Sequence, residues 1–189
     1  MATGANIIKK YEIADYEGRV DIMLDNFDNF NAQLDLVYEG IKYRIREERA
    51  YARSCNRGEL GVRVQASGVS NPTEKIAIEN IEIEEALKKK DFESSIFENV
   101  EELDEIKRNI YIIEIMEMDY DALLKQIKLL KKLDREVLLK LLDEGMEIQE
   151  IATEAQIEYE SVRTRVKRAR ARIKVGMIEF WNENKRRDF

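Results

Sequence analysis

Apolar residues along this chain recur at intervals of three and four almost throughout, the spacing of one face of an α-helix. Leu34, Val37, Tyr38, Ile41 and Ile45 keep that period, so the sequence predicts one long helix over roughly Asn31 to Asn56. Shorter patterns at Ile7 to Tyr16 and Val20 to Phe30 predict helices folded against it. From Arg57 to Asn71 the period stops, and Gly58, Gly61 and Gly68 stand in polar surroundings, which predicts a linker. A helix start follows at Asn71-Pro72-Thr73-Glu74. Asn71 can cap free backbone N–H groups, Pro72 suits the first helical position, and Glu74 sits three residues after the cap. That helix carries Ile76, Ile83 and Leu87, and ends at Lys88-Lys89-Lys90, where cations suit the negative end of the helix dipole.

The pattern resumes near Asn99. Val100, Leu103, Ile106, Ile110 and Ile113 form a narrow stripe, as in a coiled-coil seam or a tight bundle helix. Packing within one chain is the favoured reading, and a homodimer seam is the other. Leu123, Leu124, Ile127, Leu130 and Leu133 predict a further helix. Three short amphipathic stretches come next. The first, Leu133 to Leu142, stops at Gly145. The second, Ile148 to Ala155, has about two turns. A break at Gln156-Ile157 leads to the third, which starts near Tyr159.

The expected fold class is therefore all-α: an N-terminal helical bundle, an acidic helical middle and a C-terminal helix-turn-helix. Eight Gly, one Pro and 38% charged residues agree with it. The domains expected are an N-terminal helical region (1–57), a linker (58–71), an acidic coiled-coil-like segment (72–117) and a helix-turn-helix domain (118–189). A fragment beginning near Met118 is expected to fold alone.

Composition narrows the function. With no histidine, the commonest general base and the commonest metal ligand are missing. The single Cys55 excludes an internal disulfide and a zinc site of Cys and His. No glycine spacing matches a phosphate loop or a dinucleotide fingerprint. The expectation is a non-enzyme without cofactor or metal. The first ten residues lack a signal-peptide core and no apolar run reaches 18 residues, so a cytoplasmic protein without membrane attachment is expected.

The net charge of −7 averages over unlike parts. Residues 79–121 hold fifteen Asp and Glu against five Lys and Arg, a net −10. Residues 161–189 hold ten Lys and Arg against three acids, a net +7. Local sign governs phosphate binding, because charges are screened over about 8 Å at physiological salt. A basic helix after a short turn in an acidic protein is the footprint of helix-turn-helix DNA binding. In the third helix Val162, Val166, Ala169 and Ile173 make an apolar stripe facing the two preceding helices. Tyr159, Glu160, Arg163, Thr164, Lys167 and Arg170 project from the other side. Such a helix enters the major groove with its N-terminal part, so Tyr159, Glu160, Arg163 and Thr164 are expected at base edges. Arg163 can offer two donors to guanine, and Glu160 can accept from a cytosine amine. Lys167, Arg168 and Arg170 lie further along and are expected to neutralise phosphate.

From Leu133 to Ile173 the residues resemble DNA-binding region 4 of bacterial sigma factors. The resemblance runs through Leu138, Leu141 and Gly145, then Glu150-Ile151-Ala152 in the supporting helix. It continues with Ile157 in the turn, Ser161-Val162-Arg163, and Arg168-Ala169-Arg170 with Ile173. LuxR-type regulators share much of this pattern. Where sigma-like modules have a small or glycine residue in the turn, this chain has Gln156. A left-handed backbone costs a non-glycine residue roughly 1 kcal/mol, so a slightly different turn is expected. The remainder shows no resemblance to the region 2 helices with which a full sigma factor binds the polymerase clamp and melts the −10 element. The stretch Ser67-Gly68-Val69-Ser70-Asn71-Pro72-Thr73-Glu74, ahead of an acidic helical segment and a sigma-like module, resembles phage-encoded ArpU/RinA-type transcriptional regulators. That resemblance implies promoter DNA and host RNA polymerase as partners, and activation of phage late genes. The alternative is a small-terminase-type packaging subunit that oligomerises through Val100 to Ile113. A third reading has the basic helix binding an acidic partner.

A second basic stripe remains. Arg46, Arg49, Arg53 and Arg57 fall on one face of the predicted long helix, with Lys42 a turn earlier. Pairing with the acidic residues 79–121 of the same molecule is the favoured reading over contact with nucleic acid.

Overall fold

The computed structural model of the chain describes residues 4–55 and 72–184. Among the described residues there are eight α-helices, one short 3-10 turn and no strand. The helices are α1 (Gly4–Ile13), α2 (Tyr16–Asp25), α3 (Phe30–Cys55), α4 (Pro72–Lys89), α5 (Leu103–Leu129), α6 (Lys132–Leu142), α7 (Ile148–Ala155) and α8 (Tyr159–Glu183). The expected linker 58–71 and the capping role of Asn71 lie outside the described residues. The sequence predicts separate helices over 99–113 and 123–133, but α5 runs unbroken across them. No Gly or Pro falls between Leu103 and Leu129, and Met116 and Tyr120 carry the buried stripe across the gap. Position 118, where the helix-turn-helix segment is expected to open, is in mid-helix.

The chain divides into two compact units. One contains Met1–Leu34 and Ile112–Phe189, the other Asp35–Tyr111, so α3 and α5 each contribute to both.

In the first unit α1 packs on α2, α2 on α8, and α6, α7 and α8 on one another. Its core includes Tyr11, Met23, Leu24, Phe30, Ile112, Met116, Leu123, Leu138, Ile151, Ile173, Met177 and Trp181. Asp119 and Tyr120 place their polar atoms against partners in this core, as desolvation requires. Asp119 on α5 accepts from the Tyr11 hydroxyl at 2.7 Å and from Trp181 Nε1 at 2.9 Å, joining α1, α5 and α8 through one carboxylate. The Tyr120 hydroxyl donates to the carbonyl of Phe27 at 2.7 Å, and its ring stacks on Phe30 at 4.7 Å between centroids. Asp15 caps α2 by accepting the backbone N–H of Gly18 at 2.8 Å.

In the second unit the buried positions are Ile41 and Ile45 of α3, Ile83, Ala86 and Leu87 of α4, Phe97 and Val100 of the connection, and Ile106 and Ile110 of α5. The arginine face of α3 meets α4. Arg49 Nε lies 3.0 Å and Arg53 Nη1 2.9 Å from Glu79, and Arg46 Nη1 donates to Asn80 at 3.3 Å. Lys42 reaches Glu84 at 3.4 Å. These are the intramolecular pairs that the sequence favoured for this stripe; Arg57 lies outside the described residues.

Candidate nucleic-acid interface

Local chemistry sets the three helices of the C-terminal module. After α6 the chain reverses at Gly145, whose φ of +65° suits a residue without Cβ. The α7 start is held by the Glu150 carboxylate, which accepts the backbone N–H of Glu147 at 2.8 Å. Only Ile151 and Ala152 of this two-turn helix are fully buried. It braces α8 and adds little core of its own.

The turn corrects the expectation at Gln156. Its φ of 54° and ψ of 42° are left-handed, so the chain adopts the geometry of a glycine turn without the glycine. The Ile157 N–H donates to the carbonyl of Ala152 at 3.0 Å, closing a Schellman-type cap that offsets the strain. The chain leaves the turn in β-region backbone at Glu158, and α8 begins at Tyr159.

Along α8, Val162, Val166, Ala169 and Ile173 are buried as the pattern predicts, and Met177 and Trp181 continue the stripe. The expected reading residues stand on the other side. Tyr159, Glu160, Arg163, Thr164 and Lys167 are all exposed on the first three turns. Arg163 Nη1 rests 3.5 Å from Glu160 of the same helix. Lys167 has no carboxylate partner among the described residues.

Arg168 and Arg170 are placed differently. Arg168 grips Asp134 of α6 with two donors, Nη2 to Oδ1 at 2.7 Å and Nε to Oδ2 at 3.2 Å. Arg170 Nη1 lies 3.2 Å from Asp25 of α2. Each already has a carboxylate, although Arg168 keeps 46% of its side-chain surface open. Sequence reasoning passed over Arg165, Arg172 and Lys174. Arg165 Nη1 meets Asp134 at 3.1 Å, Arg172 Nη1 approaches it at 4.0 Å, and Lys174 reaches Asp21 at 2.7 Å. The acids that the run from Arg163 to Lys174 lacks in its own sequence come from α2 and α6 in three dimensions. The one available signal was Asp134 itself, an acid beside the apolar positions of α6, without an opposite charge on its own helix face.

Asp134 is almost fully buried, with 1% of its side chain exposed. The Arg168 hydrogen bond, seconded by Arg165, holds its carboxyl below the usual carboxylate range, against the upward push of burial. It is thus charged at neutral pH. Beside it, the surface between Glu160, Ser161, Thr164, Arg165 and Arg168 sinks into an open hollow of about 330 Å³.

No helix among the described residues is long and apolar enough to cross a membrane, and no cluster of potential ligands there could hold a metal ion. Neither a curated protein nor a solved structure matches the chain. Residues 120–173 match the family model described as Sigma-70, region 4. The matched segment begins in α5 and covers α6, α7 and the first fifteen residues of α8. This segment is similar in sequence to sigma-70 region 4, a likeness that supports DNA-binding transcription regulation.

Proposed function

We propose that the protein is a sequence-specific transcription regulator that binds promoter DNA through α8. In this reading it is a sigma-like activator of phage late genes that works in the cytoplasm with host RNA polymerase, by binding rather than by catalysis. The observation that carries it is the exposed first half of α8. Tyr159, Glu160, Arg163, Thr164 and Lys167 stand clear on one side of a helix braced from behind by α6 and α7. That is the arrangement with which a recognition helix enters the major groove. The phage assignment rests on the ArpU/RinA resemblance of the sequence alone.

The packaging alternative drew on a seam at Val100 to Ile113. Val100, Ile106, Ile110 and Ile113 are all buried within the single chain, so no observation favours it.

Footprinting of the full chain on promoter fragments, with and without host RNA polymerase, tests the proposal. Arg163→Ala is expected to weaken cognate binding by roughly 1–3 kcal/mol and to relax the preference at one base pair. Lys167→Ala is expected to weaken cognate and non-cognate binding alike and to reduce the salt slope by about one. Unchanged binding by both variants would show that α8 is not the reader.

A further inference from the structure

Three guanidinium groups of α8 converge on one buried carboxylate of α6. We propose that Asp134 is a positioning residue for DNA binding, holding Arg165 and Arg168 side by side so that they and the hydroxyls of Ser161 and Thr164 seat one backbone phosphate. This inference rests on the DNA-binding reading above.

The geometry supports it in three ways. Asp134 takes Nε and Nη2 of Arg168 and Nη1 of Arg165, which leaves Nη1 of Arg168 and Nη2 of Arg165 for another acceptor. Both arginines line the hollow with Ser161 and Thr164, so two guanidinium and two hydroxyl donors border one space. Two of the lining residues, Glu160 and Ser161, belong to the first turn of α8, where the helix dipole favours an anion. Glu160 lines the same hollow and opposes an anion, but its carboxylate lies 3.5 Å from Arg163.

The charge balance decides whether a phosphate can be attracted there. Arg165, Arg168 and Arg172 bring three positive charges to a single negative one, which leaves two in excess. An arginine free in solvent must lose up to about 2 kcal/mol of rotamer freedom to meet a phosphate. Asp134 imposes that order before DNA arrives. Stability alone gives little reason for a buried carboxylate here, since apolar replacements of buried ion pairs are often neutral or stabilising.

This leads to an expectation opposite to that of simple charge counting. Asp134→Asn makes the protein more positive, which by itself should tighten binding to any DNA. If Asp134 positions the arginines, the variant instead loses about tenfold in affinity for a cognate duplex, while affinity for random duplex stays level or rises.

The experiment uses the full chain and a duplex selected with it from a random pool, followed by fluorescence anisotropy across a salt series. Asp134→Asn, Arg168→Ala and the double variant form a cycle, with melting curves confirming the fold. The proposal expects the loss in the double variant to be smaller than the sum of the two single losses, because Arg168 is one of the two groups through which Asp134 acts. Additive losses, or cognate binding by Asp134→Asn equal to the parent, overturn it. Should Asp134→Asn fail to fold, neutral methylphosphonate linkages placed singly along the duplex decide the matter. One position should weaken the parent about tenfold and Arg168→Ala distinctly less, and the absence of any such position overturns the proposal. If the parent selects no duplex at all, the DNA-binding reading itself fails. If Arg163→Ala weakens binding while the cycle shows no coupling, only the role of Asp134 fails.

Discussion

A carboxylate held by arginines has a pH signature. Asp134 has a folded-state pKa depressed chiefly by the Arg168 hydrogen bond, against about 3.9 for an aspartate in an unfolded chain. A depressed carboxylate pKa contributes stability that is present above the unfolded value and lost as pH falls through the folded one. The melting temperature of the parent is therefore expected to fall more steeply than that of Asp134→Asn between about pH 5 and pH 3. Parallel curves by circular dichroism would show that the cluster stores no such energy. Gln156 gives a second test at this scale. Its left-handed backbone is strained for any residue with a Cβ. Gln156→Gly relieves that strain but adds freedom to the unfolded chain, so a net gain of about 0.5 kcal/mol is expected, read as a rise of about 1–2 °C in melting temperature. No rise would mean that the cap at Ile157 already removes the strain.

Between α3 and α4, pairing rather than exposure describes the basic stripe. Glu79 is shared by Arg49 and Arg53, and Lys42 and Arg46 meet Glu84 and Asn80. Changing Arg49 and Arg53 to Glu would set three carboxylates together. Arg53 is half exposed, which discounts its share. A loss of about 1–2 kcal/mol is expected, seen as a melting temperature a few degrees lower, with DNA affinity nearly unchanged. A clear drop in affinity at constant melting temperature would instead make this face a second phosphate contact. The same contrast runs through α8: periodicity predicted its buried stripe and its start at Tyr159, but not where its cations point. Arg168 and Asp134 are 34 residues apart, and Arg170 and Asp25 are 145 apart. Helical spacing carries no information over such separations.

For the whole molecule, the first two helices belong to the same unit as the helix-turn-helix. Trp181 and Met177 at the far end of α8 are buried in that unit, and Asp119 ties Trp181 to Tyr11 of α1. A fragment starting at Met118 would lose α1, α2 and the first half of α5. Burial of each large side chain contributes roughly 1.5–3 kcal/mol, comparable with the margin of a small domain. Against the expectation from sequence, such a fragment should melt without cooperativity and expose Trp181, as a red-shifted fluorescence maximum. A sharp transition with buried tryptophan would show that α5 to α8 suffice. The sequence by itself determined the all-α class, the bounds of α7, the start of α8 and the reversal at Gly145, because these follow from spacing and caps within a few turns of helix, while the sigma-like module was legible as a resemblance over Leu133 to Ile173. Only the tertiary structure decided that α5 is one helix, that Gln156 takes the left-handed turn, and which cations of α8 have carboxylate partners. The last of these depends on groups far away in the chain, brought together by the packing of α2 and α6 against α8.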